Sequence, residues 1–225
     1  MMVKVYCIDI KDAAIDSDWL KYVSEEKRQR LSRMRHPQSL AHSLVGDLLV
    51  RYLAVQYLEV SNEDLHFETN RYGKPYLVDP PKPFHFSLSH SGHWVVGAVS
   101  QNPVGVDVQL MEPIDNNFAQ RVMTPEAYEH YLKLPDSQRL DYFYDLWTRQ
   151  ESYLKLTGEG LANGQIGKIG HYNEFLLRDN GMYYQMRTLE SNYKLAVCAG
   201  NVDFQLVMAH VPLDRILPQL SHSRN

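Results

Sequence analysis

Between Leu140 and Gly158 apolar residues recur every three or four positions, at Leu140, Phe143, Leu146 with Trp147, and Tyr153 with Leu154. This period predicts a helix with one buried face, ending at Gly158. No other stretch constrains the fold as tightly. Trp147, Glu151 and Lys155 follow one another at i, i+4, so the carboxylate and the ammonium share a face of that helix. As an exposed ion pair they contribute only ~0.3–0.5 kcal/mol. Upstream, Pro103 to Leu110 reads P-V-G-V-D-V-Q-L, with Val104, Val106 and Val108 alternating with Gly105, Asp107 and Gln109. That is the period of a strand, and it puts Asp107 and Gln109 on one side, ~6–7 Å apart. Gly105 beside them admits another backbone or a ligand. A polar strand face is ordinarily a solvated one. Oxygen donors on a strand, with a helical Glu elsewhere, are also what a hard cation such as Mg2+ needs.

The rest of the 225 residues supplies ordinary soluble-protein material, enough for one domain or two packed lobes. A net charge of −4 and a pI of about 6.2 argue against a nucleic-acid binder. The longest apolar region, Leu44 to Leu58, is interrupted by Asp47 and Arg51 and is too short to span a bilayer, so no membrane partner is expected. The N-terminus alternates like a strand and meets Asp9 and Asp12 too early for a secretory signal. Cys7 and Cys198 lie in apolar runs and are read as buried thiols, with the cytoplasm as the expected compartment.

In chain order, Ser24 followed by Glu25 and Glu26 predicts a helix N-cap. The basic run Lys27, Arg28, Arg30, Arg33, Arg35 is then either a solvated helix face or a phosphate-facing patch, with Lys27 and Arg30 one turn apart. Ala41 to Tyr57 is a second helix that buries Leu44, Leu48 and Val55 and packs closely at Gly46. R-Y-G-K-P-Y is a turn signal that places Lys74 at an exposed tip. From His85 to Val99 the chain reads as a hairpin around Ser91-Gly92. Its three histidines fall at different points of the hairpin and do not favour a metal site. Ser89 and His90 instead suit a bound anion, and the Ser-His pair lacks a nucleophile elbow. Residues 111–125 are expected as a loop, with a helix starting at Thr124-Pro125-Glu126. Later strand candidates are Phe175–Leu177, Tyr183–Arg187, Tyr193–Ala199 and Phe204–Val211, before a frayed tail from Pro218.

V-G-V-D-V followed by W-T-R-Q-E-S-Y-L-K resembles the signature of the 4′-phosphopantetheinyl transferases, in particular the surfactin-type (Sfp-type) branch. S-E-E-K-R-Q-R, A-H-S-L-V-G-D-L-L-V-R, Y-G-K-P and F-S-L-S-H-S fall in the family's order as well, so the resemblance covers most of the chain. It implies an α+β fold of two similar lobes, 1–102 and 103–225, related by pseudo-two-fold symmetry, each a long helix packed on a small, mostly antiparallel sheet. Coenzyme A and Mg2+ (or Mn2+) would sit in the cleft between them. The reaction implied moves 4′-phosphopantetheine from coenzyme A to a serine of an acyl or peptidyl carrier protein, releasing adenosine 3′,5′-bisphosphate. Asp107, Gln109 and Glu151 match the metal-ligand positions. Lys27, Arg30, Ser43, Lys74, Ser89, His90 and Lys155 match positions that contact coenzyme A. Glu151 is the expected acceptor of the serine proton, directly or through a water, and Lys155 is expected to stabilise charge on the leaving side. A monomer is expected. Phe118, Val122 and Met123 are read either as a carrier-docking loop or as core.

Two positions depart from the family pattern. Gln109 stands where close relatives often carry Glu, and Gln150 where Lys is common, with Arg149 beside it. Weaker cation affinity in the absence of coenzyme A, with activity retained, is the expected consequence. A catalytically impaired coenzyme-A-binding homologue is the alternative these departures raise. A metal-dependent hydrolase using Asp107 and Glu151 is a third reading, but it leaves Y-G-K-P and S-H-S unexplained.

Overall fold

The computed structural model describes residues 1–158, 178–179, 182–200 and 203–221. The strand expected at Phe175–Leu177 lies outside them, as do the last residues of the T-G-E-G-L block. The first strand, β1 (Met2–Asp9), leads to α1 (Glu25–Ser32), where the Ser24 hydroxyl accepts from Lys27 N–H at 3.2 Å as the sequence predicts. α2 (Pro37–Leu58) begins earlier than the periodicity indicates because Pro37 occupies its first turn. A short ribbon, β2 (Phe67–Thr69) and β3 (Pro75–Leu77), carries Lys74 at its tip. The hairpin is β4 (His85–Ser91) and β5 (Trp94–Ser100), and β6 (Val104–Leu110) follows.

Residues 111–125 are not simply a loop. The Asp115 carboxylate accepts from Asn117 N–H at 3.1 Å and starts α3 (Asn116–Val122). Val122 and Met123 are 0% and 1% exposed and pack with Phe143, and the Phe118 ring lies 5.8 Å from that of Trp147. Val122 and Met123 are therefore core, and Phe118 is half-buried against that core. α4 (Pro125–Lys133) starts at the Thr124 cap, and α5 (Asp136–Thr157) is the central helix. After β7 (Arg178–Asp179) come β8 (Met182–Thr188), β9 (Tyr193–Gly200) and β10 (Gln205–His210). The tail does not fray at Pro218. α6 (Ile216–Leu220) buries Ile216 and Leu220 in the core beneath α2, and Gln56 donates to Gln219 at 2.9 Å.

The strands form two four-stranded sheets, ordered β10-β1-β5-β4 and β6-β9-β8-β7. β10 pairs parallel with β1, and every other pairing is antiparallel. Valines of β1, β5 and the alternate positions of β6 and β9 form one core between the sheets, including Val3, Val96, Val106 and Val197. The outer face of the first sheet packs on α2 and that of the second on α5, so the order of layers is helix, sheet, sheet, helix. Both long helices have 22 residues.

The sheets are stitched along one edge by serines. Edge N–H groups of Val106, Val108 and Leu110 donate to the hydroxyls of Ser87, Ser89 and Ser91 at 3.1, 3.2 and 2.9 Å. The period-two S-L-S-H-S run thus satisfies the N–H row that an edge strand leaves open. Replacing Ser87 by Ala strands the buried Val106 N–H, and urea unfolding should register a loss of about 1–3 kcal/mol.

Candidate functional site

Gly105 sets the geometry of the site. A Cβ added there would lie 1.9 Å from the Ser152 carbonyl oxygen and 2.6 Å from Leu156 N, so the backbones of β6 and α5 touch. The helix accordingly buries Thr148, Ser152 and Leu156 on its sheet-facing side, where the apolar period predicts Tyr153 and Leu154. The hydroxyls of Thr148 and Ser152 donate to carbonyls of their own helix at 2.7 Å each, which lets them sit dry. Leu154 turns instead to line the cleft. This contact brings the Glu151–Lys155 face over the Asp107 side of β6.

Asp107 is fully buried, not part of a solvated strand face. Lys155 Nζ donates to Asp107 Oδ1 at 2.5 Å and to Ser89 Oγ at 2.6 Å. Ser89 in turn donates to Asp107 Oδ1 at 2.8 Å. With Lys155 and Val108 N–H as donors to it, the Ser89 hydroxyl uses its one proton and both lone pairs within the protein. Gln109 Nε2 donates to Asp107 Oδ2 at 3.1 Å, which places the two side chains on one side as the strand period requires. Glu151 is half-buried. Burial first, then the charge of Asp107, hold its carboxyl above the usual carboxylate range, while Lys155 pulls it down.

Glu151, Lys155 and Lys74 line a cleft of about 270 Å³ with Tyr72, Leu88 and Leu154. Lys74 is not a free tip. Its ammonium donates to the Leu156 carbonyl at 2.9 Å, at the C-terminal end of α5 where the helix dipole favours a cation. Desolvation lowers its pKa to about 8. Asn70 donates to Gly158 O at 3.1 Å, so the β2–β3 ribbon closes over the helix end. Gly73 and Pro75 also wall a second cavity of about 390 Å³ that contains Lys27 and Arg30. There Lys27 pairs with Asp47 at 3.5 Å and Arg51 with Asp47 at 2.7 Å. Burial depresses the Lys27 pKa more than Asp47 restores it.

His90 and Ser43 line neither cavity. His90 stacks on His42, ring centroids 4.3 Å apart and planes 12° from parallel. Although its outer edge meets solvent, desolvation, then His42 and Lys155, push its pKa down to about 4, so the ring is neutral near pH 7. Ser43 is half-buried on α2 next to His42. The structure therefore joins Ser89, Asp107, Gln109, Glu151 and Lys155 in one centre with Lys74 beside it, and holds Lys27 and Arg30 in the adjoining cavity. His42 escaped the sequence reading. It is 7% exposed and bonds Gly92 O at 2.9 Å, fixing the hairpin that carries His90. A histidine on the helix that buries Leu44 and Leu48 was the available signal. Arg149, next to Gln150, lies over the Tyr184 ring at 5.4 Å.

The buried Asp107 carboxylate, the half-buried Glu151 carboxylate facing it and an amide on the same strand as Asp107 are a donor set that fits a hard divalent cation. Among the described residues no group of three or more His, Cys, Asp or Glu side chains is present, because the third position is Gln109.

Residues 14–102 match the model of the 4′-phosphopantetheinyl transferase N-terminal domain, and residues 103–199 match that of the 4′-phosphopantetheinyl transferase superfamily. The chain is 34% identical to 4′-phosphopantetheinyl transferase ffp of Bacillus subtilis, over 82% of this chain and 85% of that protein. It is 31% identical to 4′-phosphopantetheinyl transferase Sfp of Bacillus subtilis strain 168, over 88% and 92%. With 4′-phosphopantetheinyl transferase psf-1 of Bacillus pumilus the identity is 34%, over 87% of each. The chain belongs to the 4′-phosphopantetheinyl transferase superfamily, in its Sfp-type branch, and is an enzyme of that class.

Proposed function

We propose that this enzyme moves 4′-phosphopantetheine from coenzyme A to a serine of an acyl or peptidyl carrier protein, with Asp107, Glu151 and Lys155 at the reacting diphosphate. One observation carries the assignment of residues. Glu151 and Lys155 stand at a cleft that also holds Lys74; Lys155 is bonded to the buried Asp107, and Glu151 is near enough to feel its charge. The serine oxygen attacks the phosphorus on the pantetheine side, and a new P–O bond forms. The bridging P–O bond breaks, and adenosine 3′,5′-bisphosphate leaves. Glu151 accepts the serine proton, and its raised proton affinity suits a base that must hold one. Lys155, freed from Asp107, and Lys74 offset the charge that builds on the leaving phosphate. Lys27 and Arg30 in the second cavity, with Ser43 and His90, bind the adenosine end.

Asp107, Glu151 and the Gln109 amide oxygen would hold Mg2+ or Mn2+, which when bound neutralises diphosphate charge. Ser89 acts by fixing Asp107 and Lys155 rather than by reaching the ligand. Two lobes, 1–102 and 103–225, related by a pseudo-two-fold axis, accord with the two 22-residue helices, each on its own sheet. β10 and α6 then cross back to the first lobe. A cytoplasmic monomer without nucleic-acid or membrane partners fits the charge. Among the described residues no helix is long and apolar enough to cross a membrane. Joining Asp107, Glu151 and Lys155 in one site argues against the catalytically impaired reading.

The test is release of adenosine 3′,5′-bisphosphate, followed by chromatography. It should require both a divalent cation and an apo carrier, and release without carrier would point to the hydrolase reading instead. Coenzyme A affinity should also fall as pH rises through about 8, where Lys74 loses its proton. Calorimetric titrations at several pH values should show that fall, and Lys74→Arg should abolish it.

A further inference from the structure

Both oxygens of Asp107 carry donors from the protein itself. Oδ1 accepts from Lys155 and Ser89, and Oδ2 accepts from Gln109. The orientation of the Gln109 amide follows from charge. A carboxylate only accepts, so turning the amide over would set two acceptors 3.1 Å apart. A divalent cation approaching Asp107 therefore meets an ammonium and an N–H where it needs oxygen lone pairs.

We propose that Lys155 and Gln109 form a clasp that keeps Asp107 from binding a free divalent cation, so that the cation enters together with the diphosphate of coenzyme A. This rests on the transferase reading above. The Lys155 side chain is 29% exposed and lines the cleft beside Lys74. An anionic diphosphate in that cleft draws the ammonium off Asp107 and brings its own oxygens to the cation. Gln109 then rotates its amide from donor to acceptor, or gives way to a water. Ser89 stays as the fixed partner of Asp107 through the exchange, since its hydroxyl is also anchored by Val108 N–H. Gln, unlike Glu, can play both parts. A carboxylate at position 109 would repel Asp107 and leave the pair open to a cation at all times. The Gln at this position is thus a device that sets the order of loading, beyond a missing charge.

The test measures Mn2+ binding by loss of the free-ion electron paramagnetic resonance signal, with no carrier present and with a protein-free coenzyme A control. Wild-type protein should bind Mn2+ about tenfold or more tightly when saturated with coenzyme A, the size of one decisive charge contact. Gln109→Glu should bind Mn2+ alone about tenfold more tightly than wild type, and by linkage should gain correspondingly less from coenzyme A. Lys155→Met should move in the same direction. Should it unfold for want of a partner to Asp107, the Gln109 variant still decides the matter. Equal Mn2+ affinity of wild type with and without coenzyme A overturns the proposal, as does an unchanged affinity in Gln109→Glu. Calorimetry on the same samples separates the underlying reading. Protein that binds Mn2+ but never coenzyme A contradicts transferase function itself.

Discussion

Glu151→Gln should turn over about 10³-fold more slowly than the wild-type enzyme, the range for losing a positioned general base. Coenzyme A binding measured without a divalent cation should change little. The amide keeps the shape of the side chain and removes the group that accepts the serine proton. It also removes a half-buried charge that burial and Asp107 already disfavour, so the fold should lose no stability and can gain some. That combination separates a chemical role from a structural one. A rate loss accompanied by an equal loss of cation-free coenzyme A affinity would instead make Glu151 a binding residue. Quenched-flow rates and calorimetric titration on one preparation supply both numbers.

Gly105→Ala should be the most damaging glycine-to-alanine change among the described residues. The new Cβ meets backbone atoms, Ser152 O at 1.9 Å and Leu156 N at 2.6 Å, and neither can swing aside as a side chain would. Helix and strand must separate, at about 3 kcal/mol, the upper end for overpacking. For a chain of this size that lowers Tm by roughly 10 °C. The separation falls between Glu151 and Leu156, so the Lys155–Asp107 pair opens too, and the residual folded enzyme should be slow. Gly97→Ala is the informative contrast. Its Cβ would meet Leu49 Cδ2 at 2.9 Å, a side-chain tip that can rotate, and activity should survive there.

The elements that carry the site were legible because period and capping agree in them. Ser24 and Thr124 cap the helices they were expected to cap, and β6 alternates as read. Short, weakly periodic pieces were not. α3 spans only seven residues and is announced by Asp115 alone, so Val122 and Met123 looked like loop while lying in the core. The burial of Asp107 was invisible for a different reason. It depends on α5 settling on Gly105, a contact between segments far apart in the chain, and local alternation cannot distinguish a solvated face from one covered by a helix. Ser89 illustrates the same limit. Its place beside His90 suggested an anion contact, whereas β6 supplies the N–H and the carboxylate that use up its hydroxyl.

The central claim is that Glu151, beside Asp107 and Lys155, drives transfer of phosphopantetheine to a carrier serine. Intact mass of an apo carrier protein tests it most directly, after incubation with coenzyme A, Mg2+ and either the wild-type enzyme or Glu151→Gln. The carrier should gain a single phosphopantetheine with wild type, only when Mg2+ is present, and remain apo with the variant over the same interval. Equal modification by both proteins, or none by wild type on any of several carriers despite measured coenzyme A binding, would contradict it.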